Sequence, residues 1–192
     1  MRRCGTGIAS ARSACSYPRH SPTCREPAQR KALIDEALGY LDEGERSCRH
    51  AADRRGLLVA AGVRAGILRD RGQLRAAQRL CEDQARGFRA LGDRRGFALA
   101  LCEHAEIEME RLDFDAAFRD VEVLGQLAHD TRDPLILAWK LYVEAALMLN
   151  LRQIGEALRA ARDAAALCRI HGWDGLARSV AGVLRQAGGA IA

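Results

Sequence analysis

The string Asp53-Arg54-Arg55-Gly56 returns forty residues later as Asp93-Arg94-Arg95-Gly96, and that interval governs what the rest of the chain can fold into. Laid on residues 94–133, residues 54–93 agree at twelve positions: Arg54, Arg55, Gly56, Ala60, Ala65, Ile67, Arg71, Ala76, Ala77, Arg79, Glu82 and Asp93, each with its partner forty on. Chance agreement in so Ala- and Arg-rich a sequence is roughly three or four, so the repeat is internal to the chain's design. A third copy, 134–173, diverges further but keeps Ala138, Leu141, Ala145, Ala157, Arg159 and Leu167 in register with the second.

The repeated columns describe helices. Leu57, Phe97 and Leu137 share one column, Ile67, Ile107 and Leu147 another, and Leu74, Phe114 and Ile154 a third. Residues 57, 61, 65 and 68 follow the spacing of one helical stripe, and 74, 77, 81 and 84 mark a stripe on a second helix. Short breaks separate the two: Arg71-Gly72-Gln73, Arg111-Leu112-Asp113 and Arg152-Gln153. Asp53, Asp93 and Asp133 open each unit where an N-cap is expected, with Pro134 at the first helical position of the third. Each unit therefore reads as two antiparallel helices of about 17 residues joined by a tight turn. The Ala columns 65/105/145 and 77/117/157 suit close helix crossings, because Ala is small and costs nothing in helix propensity. One pair cannot bury both its stripes, so neighbouring pairs must stack.

On these residues the chain resembles the tetratricopeptide repeat family, in its longer-helix bacterial form. In that form units often begin Gly-Asp-x-x-Gly, and the second helix begins with an apolar residue followed by Ala. Leu91-Gly92-Asp93-Arg94-Arg95-Gly96 and Phe114-Asp115-Ala116-Ala117 follow that pattern, and the likeness spans about residues 30–187. The period of forty is longer than the family's 34-residue motif, and most of its aromatic positions and closing Pro are missing. The resemblance implies an all-α, right-handed solenoid of antiparallel helix pairs with about eight helices. Residues 1–27 are expected as a disordered basic tail and 28–188 as the repeat domain, with units 54–93, 94–133 and 134–173. Half-units flank these: 28–52 reads as a second helix without its first, and Asp174 to Gln186 as a first helix without its second.

Charge and cysteine usage narrow the function. Residues 1–27 carry five Arg and one Glu, whereas 28–192 carry 25 basic against 24 acidic residues. A phosphate-tracking groove needs a concentrated cation excess, which the body lacks, so no nucleic-acid partner is expected. The most apolar run, Leu135 to Leu151, is interrupted by Lys140 and Glu144, so no membrane span is expected either. Seven cysteines with no Cys-x-x-Cys pair, four of them inside amphipathic patterns, suit a reducing cytoplasm. Of 30 basic residues 28 are Arg, the mark of a GC-rich, bacterial genome.

Cys4, Cys15, His20 and Cys24 are a loose zinc-ligand set outweighed by a tail whose cysteines are incidental, and a targeting peptide is a weaker reading of the same tail. His104 and Glu108 stand one turn apart but lack the second His of a zinc-protease motif, so no metal and no cofactor are expected. No nucleophile motif or phosphate loop occurs, and the chain is not expected to be an enzyme. Trp139 and Trp173 read as packing residues.

What remains is a surface. In tetratricopeptide-like folds the first helix of each pair lines the concave groove. Columns 60, 64 and 71 are expected on the side of that helix away from the core, giving Arg64, Arg71, His104, Arg111, Lys140 and Glu144 as groove candidates. Alternating cations there suit an acidic peptide or a C-terminal carboxylate. The expectation is a non-catalytic scaffold that binds another protein or peptide; the alternative is a regulatory or sensor segment of a larger bacterial signalling protein.

Overall fold

The computed structural model describes residues 27–189, and the cysteine–histidine set and basic tail of the first 26 residues lie outside that range. Among the described residues there are eight helices and no strand. They fall into two compact units meeting at Gly92 and Asp93. The first holds α1 (Pro27–His50), α2 (Arg54–Asp70) and α3 (Leu74–Ala90). The second holds α4 (Arg94–Glu110), α5 (Phe114–Thr131), α6 (Pro134–Asn150), α7 (Ile154–His171) and α8 (Asp174–Gly189). Helices α2, α3, α4 and α6 each have 17 residues, as the repeat predicts. None of the described helices is long and apolar enough to cross a membrane.

The aspartates that open the units act as caps. Asp53 Oδ1 accepts from Gly56 N and Asp93 Oδ1 from Gly96 N, each at 2.8 Å, while Asp133 accepts from Leu135 N at 3.0 Å. Asp113, which the sequence left within a break, caps α5 in the same way through Ala116 N. Each bond satisfies one of the orphan N–H groups of the first turn. The glycine of the repeated string has its own reason. A Cβ on Gly56 would stand 2.5 Å from Asp53 Oδ2 and 2.6 Å from Cys48 Sγ, so the cap and the end of α1 leave no room for one.

The helices end as regularly as they begin. Ala52, Gly72, Gly92, Leu112, Arg132, Arg152 and Gly172 all have φ between 51° and 75°, one left-handed residue every twenty. At five of these turns the next residue's N–H reaches the carbonyl five positions back: Asp53 to Cys48, Gln73 to Leu68, Asp113 to Glu108, Gln153 to Met148, and Trp173 to Cys168, at 2.8–3.1 Å. This is the six-to-one bond of the Schellman motif, which reverses the chain in the fewest residues.

In the first unit α2 lies between α1 and α3. Leu41, Ala60, Val63 and Ile67 form a buried cluster with Ile34 and Leu38 packed on it. On the other flank Gln84 of α3 is fully buried and its Nε2 donates to Leu58 O at 3.1 Å. In the second unit α4, α5 and α6 share a core of Leu101, Ala105, Val121, Leu124, Ile136 and Val143, among others. A second core joins Ala145 of α6 to Ala160, Ala161 and Ala164 of α7 and to Val180 and Val183 of α8. Alternate helices also touch, α4 with α6 and α6 with α8.

One expectation fails here. Column 60 does not face away from the core, because Ala60 and Ala100 are both 0% exposed. A helix flanked on two sides buries two stripes, and the sequence pattern was read for one. The Ala columns behave as expected: Ala65, Ala105, Ala145, Ala77, Ala117 and Ala157 are all fully buried.

Candidate interaction surface

Each residue expected in the groove carries a partner within its own unit. Arg64 Nη2 reaches Asp42 Oδ1 at 2.6 Å and Glu45 Oε1 at 2.8 Å, both on α1. The hydrogen bond from Arg64 holds the Asp42 carboxyl below the ordinary carboxylate range. Arg71 Nη2 reaches Asp35 Oδ1 at 2.9 Å. These two cations clamp α2 to α1.

In the second unit His104 Nδ1 lies 2.7 Å from Asp120 Oδ2 on α5, and its Nε2 lies 3.5 Å from Glu108 Oε1. Arg111 Nη1 donates to both oxygens of Glu108, at 2.9 and 2.8 Å. Lys140 Nζ meets Glu144 Oε2 at 2.7 Å along α6. The six residues thus divide into a pair in the first unit and four in the second.

The His104, Glu108, Asp120 and Arg111 group is the most deeply buried polar assembly among the described residues. Glu108 is 1% exposed and Asp120 9%. A carboxylate so placed is tolerated only with charge-assisted partners, and here the Arg guanidinium and the imidazole supply them. Among the described residues no group of three or more His, Cys, Asp and Glu side chains is placed to hold a metal ion.

Cys48, Cys81, Cys102 and Cys168 are buried thiols that form no disulfide. Burial pushes the Cys102 thiol well above its ordinary pKa, with Glu106 adding to the effect, and raises Cys168 as well. Both are therefore poor nucleophiles. Trp173 stacks on His171 with ring centres 4.6 Å apart, and Trp139 packs on the core of α4, α5 and α6.

A different row of residues is only partly covered. On α6, Leu135, Trp139, Tyr142, Ala146 and Leu149 recur at helical spacing and are all half-buried. They run between two fully buried stripes, Ile136, Val143 and Leu147 on one side and Ala138 and Ala145 on the other. Beside this row α4 presents half-buried Leu99 and Glu106, and Tyr142 Oη donates to Glu106 Oε1 at 2.7 Å. Asn150 Nδ2 donates to Ala146 O at 2.8 Å and lies 3.7 Å from Met109 Sδ of α4. The result is a two-helix face of aromatic and aliphatic groups with the Glu106 carboxylate and the Asn150 amide at its edge. Its signal in the sequence is an apolar row at positions 135, 139, 142, 146 and 149 with two aromatics a turn apart, which a pattern of charges does not disclose.

Compared with known proteins, the chain matches no protein-family model and no curated sequence.

Proposed function

We propose that the chain is a non-catalytic helical-repeat scaffold that binds another protein. The observation that carries this reading is the half-buried row of α6, Leu135, Trp139, Tyr142, Ala146 and Leu149, laid beside Leu99 and Glu106 of α4. Stacked helix pairs leave such faces because each first helix spends two stripes on its neighbours and keeps a third for solvent or a partner. The resemblance to tetratricopeptide repeats supports the same reading, and so do the buried, unreactive thiols, which suit a bacterial cytoplasm.

The partner's chemistry follows from the residues left open. Arg64, Arg71, His104, Arg111 and Lys140 are turned to carboxylates of their own units. The face on α6 therefore suits a partner segment with an apolar side-chain row rather than an acidic peptide.

The test is affinity capture with the full chain, beside a variant carrying Leu99→Ser and Trp139→Ser whose helical circular-dichroism spectrum is unchanged. A partner kept by the parent and lost by the variant supports the face. Equal recovery by both removes the face from consideration, and a turnover activity in the purified chain overturns the scaffold reading.

A further inference from the structure

Helix α1 stands in the repeat register of a second helix, with no first helix before it among the described residues, and the exposure of its columns differs accordingly. Column 37/77/117/157 is Ala throughout; Ala77, Ala117 and Ala157 are 0% exposed, whereas Ala37 is only half-buried. Gln84, Leu124 and Ala164 are likewise 0% exposed, and Gly44 in the same column is half-buried. Asp120 and Ala160 are 9% and 5% exposed where Tyr40, forty residues before Leu80, is 62% exposed. In α3, α5 and α7 these columns pack on the helix before them: Gln84 on Leu58 of α2, Asp120 on His104 of α4, Ala160 and Ala164 with Ala145 of α6. Ala37, Tyr40 and Gly44 thus mark a helix seat built to the chain's own plan, exposed Leu33 and Ser47 extend the stripe by a turn at each end, and α1 touches only α2 among the described helices.

The charge around the seat says what fills it. Asp35 and Asp42, on the α2 side of α1, are engaged by Arg71 and Arg64. Glu36 and Glu43 stand one turn either side of Tyr40, exposed, with Tyr40 Oη donating to Glu36 Oε1 at 3.3 Å. A second copy of the same flank would set these glutamates against their own counterparts, like charge on like. We propose that this flank of α1 is a docking seat for a basic amphipathic helix of another protein. Leu33 and Tyr40 are its knobs, Ala37, Gly44 and Ser47 its holes, and Glu36 and Glu43 its charge-reading rim. The seat is distinct from the α6 face and stands or falls without it.

The probe is a fluorescein-labelled peptide of residues 53–71, the sequence of α2, whose five Arg against two Asp give it a net charge of +3. It is the one helix known to fit this seat's equivalent on α3. Fluorescence anisotropy with the full chain is expected to show saturable binding that weakens as salt rises. Leu33→Glu with Tyr40→Glu is expected to weaken it by about tenfold or more, since both side chains are exposed and their loss leaves the fold intact. Glu36→Lys with Glu43→Lys should weaken it and abolish the salt dependence. Absence of binding, or binding unchanged by both variants, overturns the proposal. So does a dimer in sedimentation velocity that Tyr40→Glu dissociates, which would make a second copy the occupant. Tighter binding on Arg19→Glu with Arg25→Glu would show the chain's own basic segment in the seat, and overturns it equally.

Discussion

Two glycines of α2 behave in opposite ways, and the difference lies in what stands next to their missing Cβ. At Gly56 a methyl group would collide with the Asp53 cap and with Cys48 Sγ, whereas at Gly66 nothing lies within 4 Å of it. Gly56→Ala is therefore expected to destabilise the chain by about 1–3 kcal/mol. Gly66→Ala should stabilise it by about 0.5–1 kcal/mol through the entropy of the unfolded chain. Thermal melting of the two variants against the parent reads the opposite signs, and shifts in the same direction would contradict the account. That Gly recurs at 56 and 96 was legible in the sequence. The reason at Gly56 was not, because the Cys48 sulfur that excludes a side chain there belongs to the preceding helix.

Asp133 carries a second residue-scale expectation. Its carboxylate caps α6 and accepts from Arg95 Nε at 2.6 Å. That hydrogen bond is the main cause of a pKa held below the ordinary carboxylate range. A folded-state pKa below the unfolded one gives stability that is present above the unfolded value and lost as pH falls through the folded one. Asp133→Asn keeps the capping oxygen but removes the charge. The parent's melting temperature should therefore fall more steeply than the variant's between about pH 5 and about pH 3. Parallel profiles would dismiss the Arg95 pairing as a contributor.

At the scale of the helix and its turn, the structure keeps a rhythm of twenty that the sequence shows only as forty. Helix lengths and three of the four aspartate caps were readable, since periodic apolar columns and Asp in front of them are strong signals. The left-handed turns were not, because only Gly72, Gly92 and Gly172 of the seven are glycine. Ala52, Leu112, Arg132 and Arg152 take the same conformation with a side chain, at a cost of about 1 kcal/mol each. Leu112, 72% exposed, loses little packing if replaced. Leu112→Gly and Arg152→Gly should each raise stability by about 1 kcal/mol, seen as a higher urea midpoint with an unchanged slope. A lower midpoint for both would mean that their side chains, not their backbones, hold the turns.

For the whole molecule, the all-helical architecture and its pairing were legible, while the partners of the expected groove cations were not. The sequence marks Arg64 and Arg71 as polar positions on a helix, but it cannot show that Asp42, Glu45 and Asp35 wait for them 19 to 36 residues earlier. Cations chosen for an outside partner and cations that bind a neighbouring helix look alike until the neighbour is in place. The packing predicts a gradient of protection. Helix α6 is enclosed by α4, α5, α7 and α8, whereas α1 has α2 alone among the described helices. Hydrogen exchange followed by mass spectrometry should find the amides of α1 fastest among the eight helices and those of α6 slowest. Equal protection of the two would contradict the packing argument.

The twenty-residue cadence of the turns also sets how such a gene can change length. Even and odd helices occupy different positions: α6 touches the even helices α4 and α8 as well as its odd neighbours, whereas α5 and α7 touch only the even helices beside them. Duplicating or deleting a forty-residue stretch returns every later helix to a position of its own kind. A twenty-residue indel preserves each turn and cap yet puts every downstream helix in the wrong role, burying faces written for solvent. A forty-residue insertion or deletion is therefore expected to leave a folded chain where a twenty-residue one does not, although the backbone alone would accept halves.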